Sequence, residues 1–319
     1  MSELPHWWPE RARETYADLH SYRLVGASAC ADRITAALVE IADAVEARED
    51  DLPAHLAEAG SRFSGLKPDT ALYVNVSRIL VGAARTGSAS AVRERAAALT
   101  ADRRQAQQEV VARTVALLGE ARSVLVHDYS SMVMRVLEQL TRPSSRRVVV
   151  TAGEPLGKGL AVARRAAEIG YAVTLAPDMS VGRVIDQVDA YLTGVETFYQ
   201  DGSLANTVGT RMLALLARDS GTPVIAPTET LKLDEDAETA TAAALTAPLL
   251  HPWPGDGVEI PAEWSVVRFV LDAVPAMCIT SFVTEEGACG ADDVGRVAQH
   301  ALARYLPGAR GDSQWSSQG

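Results

Sequence analysis

The sequence has 319 residues, of which 47% are hydrophobic and 22% are charged, and its formal net charge is −11. A chain of this length can bury a full core as one large domain or two ordinary ones. The acidic balance argues against broad binding to nucleic acid or anionic membranes, since both require clustered Lys and Arg. No apolar run approaches the roughly 20 residues that span a bilayer. We therefore expect no nucleic-acid partner and no membrane partner.

The cysteines and histidines indicate neither a disulfide framework nor a metal site. Cys30, Cys278 and Cys289 form no CxxC spacing, and the six histidines show no metal-ligand spacing. The first residues, MSELPHWWPERARETY, lack the basic and then apolar pattern of a signal peptide. The sequence predicts a cytoplasmic protein with reduced thiols, no metal and no cofactor.

The first part of the chain, residues 1–118, is predicted to be a helical domain. From Glu14 to Leu118 it is rich in Ala, Leu, Glu and Arg, with apolar residues repeating at helical spacing. Both a helical bundle and a helical cap over another domain are consistent with this pattern. Helix breaks are predicted at Asp51–Pro53, Gly65–Pro68 and Gly87–Ser88.

After Gly119 the pattern changes to short apolar strands that alternate with helices, over residues 119–307. Near-continuous apolar strands separated by helices are typical of a parallel sheet covered on both faces. The tail, residues 308–319, is predicted to be disordered. The predicted strands are Ser123–Val126, Arg147–Val150, Ala172–Ala176, Ala190–Thr193, Pro223–Ala226 and Cys278–Val283. The predicted helices are Ser131–Leu140, Lys158–Ile169, Val181–Gln187 and Asn206–Arg218.

Carboxylates recur directly after the predicted strands, where ligands bind in sheets of this kind. Asp128, Glu154 and Glu196 each follow a strand made of apolar residues. The alternative is helix capping, in which Ser130 or Asp178 satisfies the N–H groups of a following helix. Asp128 and Glu196 are less well placed for capping than their Ser and Thr neighbours, so they are the stronger candidates for a site.

The segment GVETFYQDGSLANTVGTRMLALLA, residues 194–217, resembles the GA-[DE]-x5-G-x3-NKIGT-x2-LALLA signature of one superfamily. That superfamily unites the alpha, beta and delta subunits of eukaryotic initiation factor two-B with methylthioribose-1-phosphate isomerase and ribose-1,5-bisphosphate isomerase. VHDYSSMVMRVLEQL is similar to its THxxS segment, and KPDTALYVNVSR to its RPTAVSLPNALR segment. The likeness covers roughly residues 20 to 290. It implies an α/β protein with an N-terminal helical domain followed by a Rossmann-like open parallel sheet with helices on both faces.

The chain departs from this family at its functional positions. The resemblance places Asp128 where the isomerases have a catalytic cysteine, and Glu196 where they have a catalytic aspartate. The resemblance implies three positions at which the family has phosphate-binding cations, and this chain has Val25, Glu154 and Thr207 there. Each charge-assisted contact to phosphate contributes about 1.5–3 kcal/mol, so a standard aldose-1-phosphate isomerase is not expected.

The resemblance also implies a set of substrate-binding positions. Two of these positions have a structural alternative to substrate binding. Lys232 is then a solvated turn residue, and Arg78 is a salt-bridged residue on a helix surface. The candidate catalytic residues are Asp128 and Glu196. The candidate substrate-binding residues are Asn206, Thr207, Gly209, Thr210, Lys232, Glu154, Val25, Gly26, Asn75 and Arg78.

Three functions are consistent with these residues. The first is an isomerase-like enzyme that acts on a small sugar-like or polyol metabolite through Asp128 and Glu196 as acid and base. The second is a non-catalytic metabolite-binding or regulatory protein like the initiation-factor subunits. Residues Gly194–Glu196 resemble the GAE segment of those subunits. The third is an assembly scaffold. The Ala, Arg and Val bias of a GC-rich bacterial genome favours the enzyme, and the resemblance implies a small-molecule ligand and a homodimer.

Overall fold

The computed structural model divides into two compact units, one formed by residues 1–104 and 296–319 and the other by residues 105–295. Within the described part of the chain, none of the helices is long and apolar enough to cross a membrane. The residues described are 4–21, 23–24, 26–85, 87–141, 143–154, 157–240, 263 and 269–306.

The first unit is helical. Its helices are α1 (Glu10–His20), α2 (Ala27–Ala47), α3 (Leu52–Gly65), α4 (Ala71–Ala84) and the beginning of α5 (Ala89–Leu118). Helix α3 begins at a cap, because the Asp51 carboxylate accepts a hydrogen bond from the Ala54 N–H at 3.2 Å. Helix α2 packs against α1, α3 and α4. The buried core includes Ile34, Leu38, Ile41, Leu56, Phe63, Leu72 and Leu80.

The second unit contains a seven-stranded sheet. Its strands are β1 (Ser123–Val126), β2 (Arg147–Thr151), β3 (Ala172–Ala176), β4 (Ala190–Leu192), β7 (Val224–Pro227), β9 (Ser281–Thr284) and β10 (Gly287–Cys289). Only β10 pairs antiparallel with its neighbour among these described strands. The helices of this unit are the end of α5, α6 (Ser131–Gln139), α7 (Gly159–Ile169), α8 (Thr210–Asp219) and the beginning of α9 (Ala291–Leu302). The predicted Rossmann-like open sheet is confirmed.

The order of the strands is β10-β9-β7-β4-β1-β2-β3. The chain builds outward from β1 through β2 to β3, then returns to the other side of β1 and builds outward again from β4. The two halves therefore meet between β1 and β4, which pair with Val124 opposite Ala190 and Val126 opposite Leu192. Such a switch point is where open α/β sheets bind ligands, beyond the carboxyl ends of the strands.

The second unit also contains a sheet of three strands, which the sequence analysis did not predict. It consists of β5 (Thr197–Phe198), β6 (Leu204–Thr207) and β8 (Leu271–Val274), all antiparallel. The prediction of one helix over Asn206–Arg218 was wrong at its beginning, because Asn206 and Thr207 pair with β8. Helix α8 begins only at Thr210.

Two other predicted elements also differ. Val181–Gln187 is not an α-helix but parts of two short 3-10 turns, Asp178–Arg183 and Ile185–Gln187. The predicted strand Cys278–Val283 is a turn ending at Cys278, followed by β9, and β10 then folds back on β9. The helix signal of the first segment is weakened by Pro177, by Gly182 and by the β-branched residues Val181, Val184 and Ile185.

The boundary between the compact units falls inside α5, at Arg104–Gln105, whereas the sequence predicts a division at residues 118 and 119. The amino-acid composition changes where α5 ends and the first strand begins. The division into compact units instead depends on which residues are in contact. The predicted tail, residues 308–319, lies outside the described residues. The predicted domain division stays a prediction.

Candidate ligand site at the switch point

Asp128 directly follows the end of β1 and is almost completely buried, with 2% of its surface exposed. Its φ of 55° lies in the left-handed region, which Asp and Asn adopt more readily than other side chains. Its Oδ2 accepts a hydrogen bond from Thr207 Oγ1 at 2.7 Å. Its Oδ1 is buried and has no hydrogen-bond partner among the described residues. A buried carboxylate oxygen without a donor is costly, so this atom is the candidate point of contact for a ligand.

Gly153, in the loop after β2, makes room for that carboxylate. Its φ is 74°, and a Cβ at this position would lie 3.3 Å from Asp128 Oδ1. Any side chain at residue 153 would therefore crowd the unpartnered oxygen and would also strain the backbone.

The turn from β6 to α8 is held by its own polar side chains. Thr210 Oγ1 donates to the Thr207 carbonyl at 2.6 Å, and Asn206 Nδ2 donates to Thr210 Oγ1 at 3.0 Å. Thr207, which follows Asn206, turns its hydroxyl toward Asp128. The structure thus brings together Asp128, Asn206, Thr207 and Thr210, and it gives Asn206 and Thr210 a clear role in shaping the turn.

Gly209 lies at the N-cap of α8 with a φ of 98°. A Cβ there would lie 2.9 Å from His127 Nε2, so only glycine fits without movement of the ring. His127 Nε2 donates to the Val208 carbonyl at 2.9 Å, and its Nδ1 lies 2.6 Å from Thr151 Oγ1. His127 therefore ties the end of β1 to the end of β2 and to the β6–α8 turn, with both ring nitrogens occupied.

Two carboxylates of the chain accept hydrogen bonds from backbone N–H groups that could otherwise bind an anion. Asp272 Oδ2 accepts from the N–H groups of Gly209 and Arg211, at 2.7 and 3.1 Å, at the N-terminus of α8. Asp178 accepts from Gly153 N at 2.9 Å and from Glu154 N at 2.7 Å. The side chain of Glu154 itself is exposed.

Glu196 lies between β4 and β5 and is partly buried. Its backbone N–H donates to the Ala205 carbonyl at 3.0 Å. Ala205 precedes Thr207 by two residues on β6, so the backbone anchor of Glu196 and the hydroxyl partner of Asp128 are about 7 Å apart along one strand. Lys232 Nζ donates to the Val195 carbonyl at 2.5 Å, which fastens the loop that carries Glu196.

Tyr191, at the centre of β4, is fully buried and was missed by the sequence analysis. Its hydroxyl makes no well-formed hydrogen bond among the described residues, although Thr193 and Thr210 lie near it. Burial raises the pKa of Tyr191 far above its ordinary value, and the carboxyls of Asp272 and Asp128 add to the rise. A tyrosine inside an apolar strand carries no signal that separates it from a core residue.

A second group of carboxylates lies after β7 and β9, and we call it the glutamate cluster: Glu229, Glu285, Gln107, Arg135 and Thr230. Glu229 Oε1 accepts from Gln107 Nε2 at 2.9 Å, and Gln107 Oε1 accepts from Arg135. Glu285 accepts from the Thr230 N–H at 3.1 Å and from the Thr230 hydroxyl. Burial raises the pKa of Glu285, and the nearby Glu229 adds to the rise.

The remaining predicted site residues belong to the helical unit. Gly26 is the N-cap of α2 with a φ of 90°, a conformation that favours glycine. Asn75 is buried in α4, and Arg78 is partly buried in the same helix. Val25 lies outside the described residues. The role predicted for these residues in substrate binding stays a prediction.

A family model described as the Initiation factor 2 subunit family matches residues 23–291. The chain belongs to this family. The match spans both the helical part and the sheet, in agreement with the resemblance drawn from the motifs.

Relatives with different names are similar to this chain. A ribose 1,5-bisphosphate isomerase of Haloterrigena turkmenica is 26% identical over 324 aligned positions, covering 94% of this chain and 95% of that protein. A protein of the same name from Haloferax volcanii is 28% identical, but the match spans only 53% of its length. A putative translation initiation factor eIF-2B subunit 2-like protein of Pyrococcus furiosus is 23% identical, covering 88% of this chain and 96% of that protein.

Solved structures share the fold. The translation initiation factor eIF-2B of Pyrococcus horikoshii has a TM-score of 0.72 at 21% identity, covering 88% of this chain and 97% of that one. The 5-methylthioribose 1-phosphate isomerase of the same organism has a TM-score of 0.68 at 17% identity, covering 92% and 87%. Isomerases and initiation-factor proteins are thus both among the relatives, and the fold alone does not choose between them.

Proposed function

We propose that this protein is an isomerase-like enzyme that acts on a small sugar-like or polyol metabolite through carboxylate acid/base chemistry. One observation carries the proposal: the buried Asp128 Oδ1, at the switch point, has no hydrogen-bond partner among the described residues. The family resemblance places this residue at the catalytic position of the isomerases. Relatives named as sugar-phosphate isomerases support the reaction class.

The proposed chemistry moves hydrogen between adjacent carbons of an open-chain sugar. A base removes the proton from the carbon next to the carbonyl, and an acid delivers a proton to the carbonyl oxygen, which gives an enediol. The reverse transfers to the other carbon and from the other oxygen complete the isomerisation without any net change in protons. We assign Asp128 and Glu196 to these two roles, because the two carboxyls follow neighbouring strands of the sheet and stand at the family's catalytic positions.

Thr207 has a supporting role in this proposal. Its hydroxyl donates to Asp128 Oδ2 at 2.7 Å, which fixes the carboxylate and leaves Oδ1, with its two lone pairs, to face the substrate. Asn206, Gly209, Thr210 and Lys232 shape the two loops around it. The protein is further proposed to be cytoplasmic and to form a homodimer through its sheet domain, for which light scattering should give twice the chain mass of 33.9 kDa.

The second candidate is a non-catalytic metabolite-binding or regulatory protein. It is favoured by Gly194–Glu196, which resembles the GAE segment of the initiation-factor subunits. The relatives named eIF-2B subunit 2-like agree with it. In this alternative Asp128 and Glu196 hold a ligand and never move a proton.

Exchange of carbon-bound hydrogen separates the two candidates. The protein is incubated in D₂O with a panel of aldoses, ketoses and their amino derivatives, and deuterium at the carbon next to the carbonyl is followed by NMR. The enzyme is expected to exchange and isomerise one of them, and Asp128→Asn and Glu196→Gln to slow this by 10²–10⁴-fold. Asp186→Asn is the matched control, because Asp186 is exposed and precedes β4, at the opposite edge of the sheet. Full exchange in Asp128→Asn would contradict the acid/base role.

A further inference from the structure

In the loops at the switch point, the backbone N–H groups that could bind an anion already donate to carboxylates of the chain. Backbone N–H groups at a helix N-terminus or in a tight loop bind phosphate when they are free to donate. Here the N–H groups of Gly153 and Glu154 donate to Asp178, and those of Gly209 and Arg211 donate to Asp272. A phosphate would have to displace one of these carboxylates.

Two basic side chains near these loops already donate to backbone carbonyls. The ammonium of Lys232 donates to a backbone carbonyl at 2.5 Å, and the guanidinium of Arg211 donates to another at 3.0 Å. Lys158, at the N-cap of α7, lies in the same loop as the exposed carboxylate of Glu154. The loop after β2 therefore has no net positive charge among its charged residues.

Asp128 adds the opposite preference. Its carboxylate is buried, Thr207 satisfies one oxygen, and the other oxygen has no donor among the described residues. A positively charged N–H donor makes the strongest hydrogen bond to such an oxygen, because both partners carry charge and water is excluded.

We propose that the ligand of this site is a polyol or sugar that bears an amine and no phosphate, with the ammonium donating to Asp128 Oδ1. This inference rests on the proposed function in taking the switch point as the ligand site. It deepens that function by naming an aminopolyol or amino sugar as the substrate class. The site rejects a phosphate because these backbone N–H groups already donate, and the unpartnered carboxylate oxygen selects the amine.

Three matched five-carbon ligands test the charge preference directly: 1-amino-1-deoxyribitol, ribitol and ribitol 5-phosphate. Calorimetry at pH 7 with the full-length protein is expected to give at least tenfold tighter binding for the amine than for ribitol. Ribitol 5-phosphate is expected to bind more weakly than ribitol. The proposal is overturned if the phosphate binds as tightly as ribitol, or if none of the three binds.

Two variants locate the preference. In Asp128→Asn the advantage of the amine over ribitol should fall below twofold, whereas Asp186→Asn should retain it. In Asp178→Ala the N–H groups of Gly153 and Glu154 lose their acceptor, so inorganic phosphate should bind at least threefold more tightly than before. A preference that survives in Asp128→Asn overturns the proposal. If either variant fails to fold, the ligand series on the unmodified protein still decides.

The two proposals fail separately. If the amine is preferred but no ligand shows hydrogen exchange in D₂O, the enzyme proposal is wrong and the ligand class stands. If exchange is found on a neutral or phosphorylated sugar without any preference for the amine, the ligand class is wrong and the enzyme proposal stands.

Discussion

Carboxylates lie at two places along the carboxyl edge of the same sheet, and their surroundings differ. In the glutamate cluster, Glu229 accepts from Gln107, and Glu285 accepts from the Thr230 N–H and hydroxyl. At the switch point, Asp128 has one donor, Thr207, and its second oxygen has no donor among the described residues. Both groups follow strands, so position in the fold alone does not explain the difference.

We interpret this difference as one between a structural role for the glutamate cluster and the proposed ligand-binding role of Asp128. A buried carboxylate with all its donors supplied holds the surrounding segments in place. A buried oxygen without a donor costs about 1–3 kcal/mol, and the fold tolerates this only where another requirement maintains it. We therefore expect substitutions in the glutamate cluster to change stability and substitutions at Asp128 to change ligand binding.

The largest effect is expected from Glu229→Ala in the glutamate cluster. Glu229 is 1% exposed, and its loss leaves the buried amide of Gln107 without its acceptor and opens a cavity. The free energy of unfolding should fall by about 3 kcal/mol. Urea denaturation measures this, with Asp186→Asn as the control that should stay within about 0.5 kcal/mol. A loss below about 1 kcal/mol would show that the cluster does not stabilise the fold.

Thr207→Val should have an intermediate effect at the switch point. It keeps the shape of the side chain but removes the only donor to Asp128 within the described residues, which should cost about 1–2 kcal/mol of unfolding free energy. In the background of Asp128→Asn the same change should cost less, because no charged oxygen is then left without a donor. A double-mutant cycle from urea denaturation measures the coupling, and strictly additive losses would contradict the bond.

The architecture of the sheet could be predicted from the sequence because its signals are local. Runs such as Ser123–Val126 and Arg147–Val150 are apolar throughout, as parallel strands buried on both faces must be. The rule that ligands bind beyond the carboxyl ends of the strands singled out Asp128 and Glu196, and their role in a site stays a prediction. The motif of residues 194–217 then supplied the family.

The remaining features depend on contacts between distant residues. Strand β6 forms because Asn206 and Thr207 pair with β8 more than sixty residues later, and no local pattern announces such a pairing. The hydrogen bonds from backbone N–H groups to Asp178 and Asp272 also depend on loops that come together only in the folded protein. The unpartnered oxygen of Asp128 and the buried hydroxyl of Tyr191 are likewise invisible in sequence, because burial and lack of a partner are properties of packing.

Glu285→Gln sharpens the comparison through pH. Burial raises the pKa of Glu285 in the folded state above its ordinary value of 4.5, so the folded protein binds the proton more tightly than the unfolded chain does. Stability from this group is therefore fully present below the unfolded pKa and is lost as the pH rises through the folded pKa. The neutral Gln lacks this loss, so the variant should gain stability relative to the unmodified protein above pH 4.5. Urea denaturation between pH 4 and 8 measures the difference, and a flat difference would contradict the raised pKa.

The smallest effect on stability, and the largest on ligand binding, is expected from Asp128→Asn. Asn tolerates the φ of 55°, its oxygen can still accept from Thr207, and its nitrogen occupies the position of the oxygen that had no donor. The free energy of unfolding should therefore change by no more than about 0.5 kcal/mol. The same change replaces a charged acceptor by a neutral donor, so a ligand ammonium loses its partner and gains a repulsive contact. Amine affinity should fall at least tenfold by calorimetry while the urea midpoint stays nearly unchanged. If stability falls by more than about 2 kcal/mol and affinity does not change, Asp128 belongs with the glutamate cluster as a structural residue.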